Sequence, residues 1–200
     1  MIGIIDYGAG NLKSVINAFA SLGTDVGVIC REKELERCSG LVLPGVGAFP
    51  AAMRRLNDSR LVGPLKDAVS NGIPLLGVCL GMQMLFESSS EFETTEGLGL
   101  LEGSIRPING GGLPIPHMGW NSLRLNFETP VLGAEGEGRY VYFVHSFMAD
   151  CPKDEVAAYT DYGEPVPALV NRGKVFGAQF HPEKSSDFGI EILRKFCSFC

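Results

Sequence analysis

The sequence is short of several things, and each shortage narrows what the chain can do. No apolar run approaches the roughly 20 residues that a membrane-crossing helix requires, so a membrane is not an expected partner. Positive charge is scarce: 17 Lys and Arg stand against 23 Asp and Glu, for a formal net charge of −6. Nucleic-acid binders normally present a basic face, so nucleic acid is not an expected partner either. Histidine occurs three times and tryptophan once. The only CxxC is the terminal "CSFC" from Cys197 to Cys200, and no second ligand pair stands at the spacing that a zinc site would need. These thiols read as apolar residues of a last helix, and the chain calls for no metal and no cofactor. The opening "MIGIIDYGAG" lacks a basic leader and reads as a first strand. A cytoplasmic protein with free thiols is therefore expected.

What is present has the balance of an ordinary globular protein, 45% hydrophobic and 20% charged. Without linker, repeat or low-complexity tract, residues 1–200 are expected to form one domain. "IGIID", "VGVIC", "GLVLPG" and "IPLLGVCLG" read as near-continuous apolar strands. Between the first two, Leu12, Val15, Ile16, Phe19 and Leu22 fall on one helical face that Gly23 closes. "AAMRRLNDSRLVGPLKDAVSNG" is expected to be largely helical, with a break near Gly63-Pro64, and "MQMLFESS" to be a helix. This alternation predicts an α/β fold, with a mostly parallel central sheet flanked by helices. After Glu91 the texture changes. "PINGGGLPIPHMGWNSL" reads as loops and turns, and "RYVYFVHSF", "EVAAYT", "PALVNRG" and "KVFGAQF" as short strands. A smaller antiparallel β portion is thus expected in the C-terminal half, before a last helix capped by Ser185 or Ser186.

The chemistry gathers at "GVCLG", where Cys79 stands two residues from Gly77 and from Gly81. A core cysteine needs no such setting. A nucleophile on a tight strand-to-helix turn does, because flanking glycines remove side chains that would clash. The turn lifts the thiol above the carboxyl end of the sheet, and the helix N-terminus favours the reactive thiolate. Such a nucleophile needs a base and a group that orients the base. In "FGAQFHPEKS", His181 follows an apolar strand with Glu183 two residues on, so both can face one site. An oxyanion formed during attack needs backbone donors. The N–H of Leu80 is the first, and the loop at Gly45, Val46 and Gly47 is a candidate for the second. His145 and Ser146 end a strand and are expected to line the same pocket. His117 reads as structural or interfacial.

"PLLGVCLGMQ" followed by "GAQFHPEKS" resembles the class I, triad-type glutamine amidotransferases, and the likeness extends over nearly the whole chain. It implies a flavodoxin-like α/β fold and a catalytic triad of Cys79, His181 and Glu183 that hydrolyses L-glutamine through a thioester. It also implies that Gln83 helps to bind the substrate. Within that family "DYGAGNLKSV", "LPGVGAF", "HMGWN" and "YFVHSF" resemble the glutaminase subunits of histidine biosynthesis. These imply a heterodimer with a (β/α)8-barrel cyclase subunit that takes up the ammonia and makes imidazole glycerol phosphate and AICAR. Other members carry a glycine where Val46 stands, which implies a hole completed only when a peptide near Gly45 to Gly47 reorients. Trp120, in a Gly/Pro-rich loop, together with Asn11 and Lys184, is a candidate to touch the partner. The alternatives are an amidotransferase of another pathway and a catalytically silent regulator on this fold.

Overall fold

In the computed structural model, which describes residues 1–200, the apolar runs of the first half become strands. β1 (Ile2–Ile5) leads to α1 (Leu12–Ser21), β2 (Val26–Ile29), the single-turn α2 (Glu32–Leu35) and β3 (Gly40–Gly45). Helices α3 (Phe49–Asp58) and α4 (Val62–Ser70) precede β4 (Leu75–Cys79) and the short α5 (Leu80–Gln83). The second half contributes β5 (Ser88–Ser89), β6 (Thr95–Glu96), β7 (Ser104–Pro107), β8 (His117–Ser122) and β9 (Arg124–Leu125). β10 (Tyr140–His145), β11 (Phe147–Asp150), β12 (Val156–Asp161), β13 (Pro165–Arg172), β14 (Val175–Ala178) and α6 (Ser186–Phe199) complete the chain.

Eight strands form one sheet in the order β2-β1-β3-β4-β14-β13-β12-β9. From β2 to β14 every pairing is parallel; from β14 to β9 every pairing is antiparallel. The antiparallel portion therefore extends the central sheet, and two small sheets, β10-β8 and β11-β7-β5-β6, lie beside it. β1, β3 and β4 are buried along their whole length, as parallel strands covered on both faces must be. Their side chains alternate between two cores. Leu41, Leu43 and Leu75 face Phe49, Leu56 and Leu65 of α3 and α4. Val42, Leu76 and Val78 face Phe19 of α1 and Leu193 and Phe196 of α6.

Four local expectations differ from what is observed. The helical stretch breaks at Ser59–Leu61, so Gly63-Pro64 lies in the first turn of α4, where proline has no intrahelical bond to lose. The helix after Cys79 stops at Gln83, because Met84, Leu85 and Phe86 are all fully buried and cannot share one helical face. Their carbonyls accept instead from the N–H groups of residues 98–101. Residues 117–122, expected as a loop, form β8 along β10, so Trp120 stands on a strand. Ser185 precedes α6 without capping it; its Oγ accepts from Tyr142 N–H (3.0 Å) and donates to His181 O (2.7 Å).

The glycines around Cys79 are where the fold is tightest. A Cβ on Gly81 would fall on the Leu43 carbonyl of β3, and one on Gly77 would meet Gly81 O at 2.7 Å. Gly63 in α4 has open space around its Cβ position. Gly81→Ala is therefore expected to lower unfolding free energy by about 1–3 kcal/mol or more, while Gly63→Ala should be neutral or stabilising by up to about 1 kcal/mol. Urea melts of both variants check the contrast.

Candidate active site

The site is assembled by the register of three adjacent parallel strands. Gly45, the last residue of β3, is the partner of Cys79, the last residue of β4. On the other side Ala178 of β14 pairs with Val78. The chain beyond β14 then delivers Gln179 and His181 beside the thiol. Open α/β sheets place their sites at this carboxyl edge.

Cys79 has φ 55° and ψ −111°, a backbone conformation that costs a non-glycine residue of order 1–3 kcal/mol. Such strain persists only where surroundings impose it, and here the glycine contacts with β3 do so. The thiol is buried, with Sγ 3.9 Å from Val144 O and 3.9 Å from Gln179 Nε2. Leu80 opens α5, so its N–H has no intrahelical acceptor.

His181 Nδ1 lies 2.9 Å from Glu183 Oε1, with both side chains almost completely buried. The carboxylate can only accept, so Nδ1 carries a proton and Nε2 is the free functional nitrogen. Nε2 is buried and makes no hydrogen bond. The ring is clamped through its backbone: His181 N–H donates to Tyr142 O (3.0 Å), and its carbonyl accepts from Ser185. Burial alone would push the His181 pKa down, but Cys79 and Glu183 outweigh it and lift the value to about 9.

Cys79 and His181 open into a cavity of about 450 Å³. Of the residues singled out from sequence, Val46, Gly47, Leu80, Gln83, His145 and Ser146 also line it. Gly45 stands one step back, where its Cβ would meet Gly81 N at 2.6 Å. Val46 is exposed, and Gly47 has φ +94°. Gln83 is partly engaged inside the protein: Nε2 donates to Phe147 O (3.1 Å) and Gln179 Oε1 (3.0 Å), leaving its carbonyl oxygen for the pocket. Asn11 starts α1, and Lys184 is exposed on the turn after His181, away from the cavity lining. α1 packs against that turn, the turn against β10, and β10 against β8 with Trp120.

Two residues near the thiol escaped the sequence reading. Gln179 is two positions before His181 at the end of an apolar run, and its Nε2 lies 3.9 Å from Cys79 Sγ; its nearness to His181 in sequence was the available signal. Glu91 was not recognisable in the polar stretch "SSSEFETT". It is buried at the cavity wall, with Oε2 accepting from Phe49 N–H (2.7 Å). Beside it Phe92, φ 61° and 87% exposed, stands at the mouth.

Residues 3–198 match the family model for glutamine amidotransferase class-I. The chain is 51% identical over 196 residues to the imidazole glycerol phosphate synthase subunit HisH of Bacillus cereus, covering 98% of this chain and 93% of that one. It is 46% identical over 201 residues to the subunit of the same name from Streptococcus mutans, covering 100% of both. Among solved structures, a crystal structure of a glutamine amidotransferase superposes with TM-score 0.78 at 21% identity, over 98% of this chain and 97% of that one. The structure of PurLQS from Thermotoga maritima gives TM-score 0.79 at 20% identity, over 99% and 97%. At such identities these two speak for the fold alone.

A raised histidine pKa has a defined sign for stability. The ordinary value is 6.5 and the folded one about 9, so the stabilisation is fully present below about pH 6.5 and lost as pH rises through about 9. Unfolding free energies measured across that window should fall with rising pH in the wild type. The fall should be smaller in Glu183→Gln, which removes the carboxylate.

Proposed function

The chain belongs to the class-I glutamine amidotransferases, in the group of the imidazole glycerol phosphate synthase subunit HisH, and from that membership we propose that it is the synthase's glutaminase subunit. Residues 1–200 act as one amidotransferase domain, hydrolysing L-glutamine to glutamate and ammonia. The ammonia passes to a cyclase subunit, which makes imidazole glycerol phosphate and AICAR in L-histidine biosynthesis. The observation that carries the chemistry is a strained, buried thiol beside a histidine oriented by a carboxylate. A cytoplasmic setting is part of the reading; no helix is long and apolar enough to cross a membrane.

In this mechanism Cys79 Sγ attacks the side-chain carbonyl carbon of glutamine as its proton resides on His181 Nε2. The carbonyl π electrons move to oxygen, and the N–H of Leu80 with a donor from the Val46 region stabilises the charge. When the tetrahedral intermediate collapses, His181 gives its proton to the departing nitrogen, ammonia leaves, and a thioester remains. Water then loses a proton to His181 while attacking the thioester, and glutamate is released as the sulfur takes that proton back. Glu183 holds the ring in the tautomer this requires. Glu91, a buried carboxylate at the mouth, suits the α-ammonium group of the substrate. Gln83, His145 and Ser146 line the rest of its path.

Free ammonia is protonated at neutral pH and loses its nucleophilicity, which is why its producer is joined to a consumer. The outer face of the β10-β8 sheet supports a docking role. Register places Trp120 opposite Tyr142 and Met118 opposite Val144 on that face, and Met118, Trp120 and Tyr140 are more than half exposed. Val144 also lines the cavity, so a cyclase seated here would abut the active site. Aromatic anchors of this type carry most of an interface's energy. Asn11 and Lys184 are further candidates for contact with the cyclase.

The decisive experiment measures glutamine hydrolysis with and without the cyclase and its nucleotide. Cys79→Ala should abolish glutamine-dependent synthesis by the complex yet leave synthesis from added ammonium salt intact. Persistence of the glutamine reaction would remove the nucleophile assignment. The second donor gives a further expectation. If the Val46 N–H points away at rest, its loss costs on the order of 10²–10³ in rate, which a loaded cyclase should restore mainly in kcat. Val46→Gly should raise basal hydrolysis by the isolated subunit, and Val46→Pro, without the N–H, should lose the gain from the cyclase. Full turnover by the isolated wild type, unchanged by cyclase and ligand, would instead indicate a preformed hole.

A further inference from the structure

Two of the three histidines are absent from this mechanism as proton carriers, yet they are buried against each other at its edge. His145, at the end of β10, and His117, at the start of β8, are cross-strand partners on the inner face. His117 Nδ1 lies 2.9 Å from His145 Nε2, and His145 Nδ1 lies 2.8 Å from Phe147 O. A carbonyl oxygen has only lone pairs to offer, so His145 Nδ1 must carry a hydrogen. A neutral imidazole has one N–H. His145 Nε2 is therefore the acceptor, and His117 Nδ1–H the donor.

We propose that His117 is a positioning residue that holds His145 as the neutral Nδ1–H tautomer, leaving His181 as the one imidazole able to exchange a proton with Cys79. This rests on the glutaminase reading above. The pair resists inversion, because giving a neutral His145 an Nε2–H would strip Nδ1 of its hydrogen and set its lone pair against the Phe147 carbonyl. The His117 ring that supplies the donor is stacked between Phe143 (4.6 Å) and Tyr162 (4.0 Å). Burial acts the same way, pushing His117 to about 4 and His145 to about 3.

Two benefits follow for the chemistry. The titratable groups around His145 are His117 across the ladder and His181 after β14, with Cys79 at the elbow and Glu91 lining the same cavity. A cationic His145 would repel the imidazolium that forms on His181 and would compete for the thiolate. Neutral, it does neither. Its Nδ1–H also shares the Phe147 carbonyl with Gln83 Nε2, which fixes the corner where Ser146 lines the cavity.

The test compares His117→Leu, which deletes the donor, with His117→Asn, whose side-chain amide can place an N–H near the same point. In ¹⁵N-histidine NMR spectra of the wild-type chain, His145 should be the neutral Nδ1–H tautomer throughout about pH 5 to 8. In His117→Leu burial should keep it neutral, but with no donor on Nε2 the Nε2–H tautomer should appear beside the Nδ1–H form. In the complex with cyclase and nucleotide, kcat/KM for glutamine should then be several-fold lower in His117→Leu than in wild type, with His117→Asn restoring both the single tautomer and the rate. A wild-type His145 that is cationic near neutrality, or protonated on Nε2 alone, overturns the proposal, as does a His145 that stays purely Nδ1–H in His117→Leu. The tautomer measurement needs no turnover. It decides the lock even if the wild-type complex proves unable to hydrolyse glutamine, a result that would defeat the functional reading instead.

Discussion

Everything in the site depends on one close approach, that of the turn at Cys79 to the end of β3. The backbone of Gly81 lies against the Leu43 carbonyl, and only a residue without a side chain fits there. That contact holds Cys79 in a left-handed conformation which its own side chain opposes. The strain does not dissipate because β3 and β14, paired on either side of β4, are themselves buried between two helical layers. A rigid sheet is thus the condition for a poised thiol. The same register that bends the elbow brings the end of β14, and with it the chain leading to His181, alongside it, so nucleophile and base share one frame although about a hundred residues separate them.

Much of this was legible in the amino-acid order. The parallel core announced itself through uninterrupted apolar runs such as "IGII" and "LLGVC", because strands buried on both faces leave no polar position to blur the pattern. The elbow and the His-x-Glu pair were equally visible, since a glycine-flanked thiol at a strand end and a histidine with a carboxylate two residues on stand out in the sequence itself. β8 was not. Its "HMGWNS" lies in a stretch dense in glycine and proline, and its strand character comes from pairing with β10, a contact encoded some twenty residues away. Glu91 was invisible for a similar reason. A carboxylate in a polar run reads as solvated until the start of α3 arrives to donate a hydrogen bond to it.

The length of α5 shows tertiary demand overriding local preference. "MQMLFE" has good helix formers, yet the chain leaves the helix after Gln83 so that Met84, Leu85 and Phe86 can all be buried. Leaving early also opens their carbonyls to residues 98–101 and brings the following segment, with Glu91 and Phe92, round to the mouth of the cavity. Substrate-facing groups are in this way a by-product of how the core closes.

The half-exposed indole on β8 has a practical side as well. Trp120 is the sole tryptophan of the chain, it is 52% exposed, and its ring meets Tyr142 edge-on at 6.1 Å. Selective excitation of indole therefore reports on a single spot, the outer face of the two-stranded sheet beside the cavity. Covering that spot with another protein would shift the emission towards the blue and shield it from soluble quenchers, while a ligand deep in the pocket would leave it nearly unchanged. The molecule thus carries an intrinsic optical label that separates docking from substrate binding, with no dye attached.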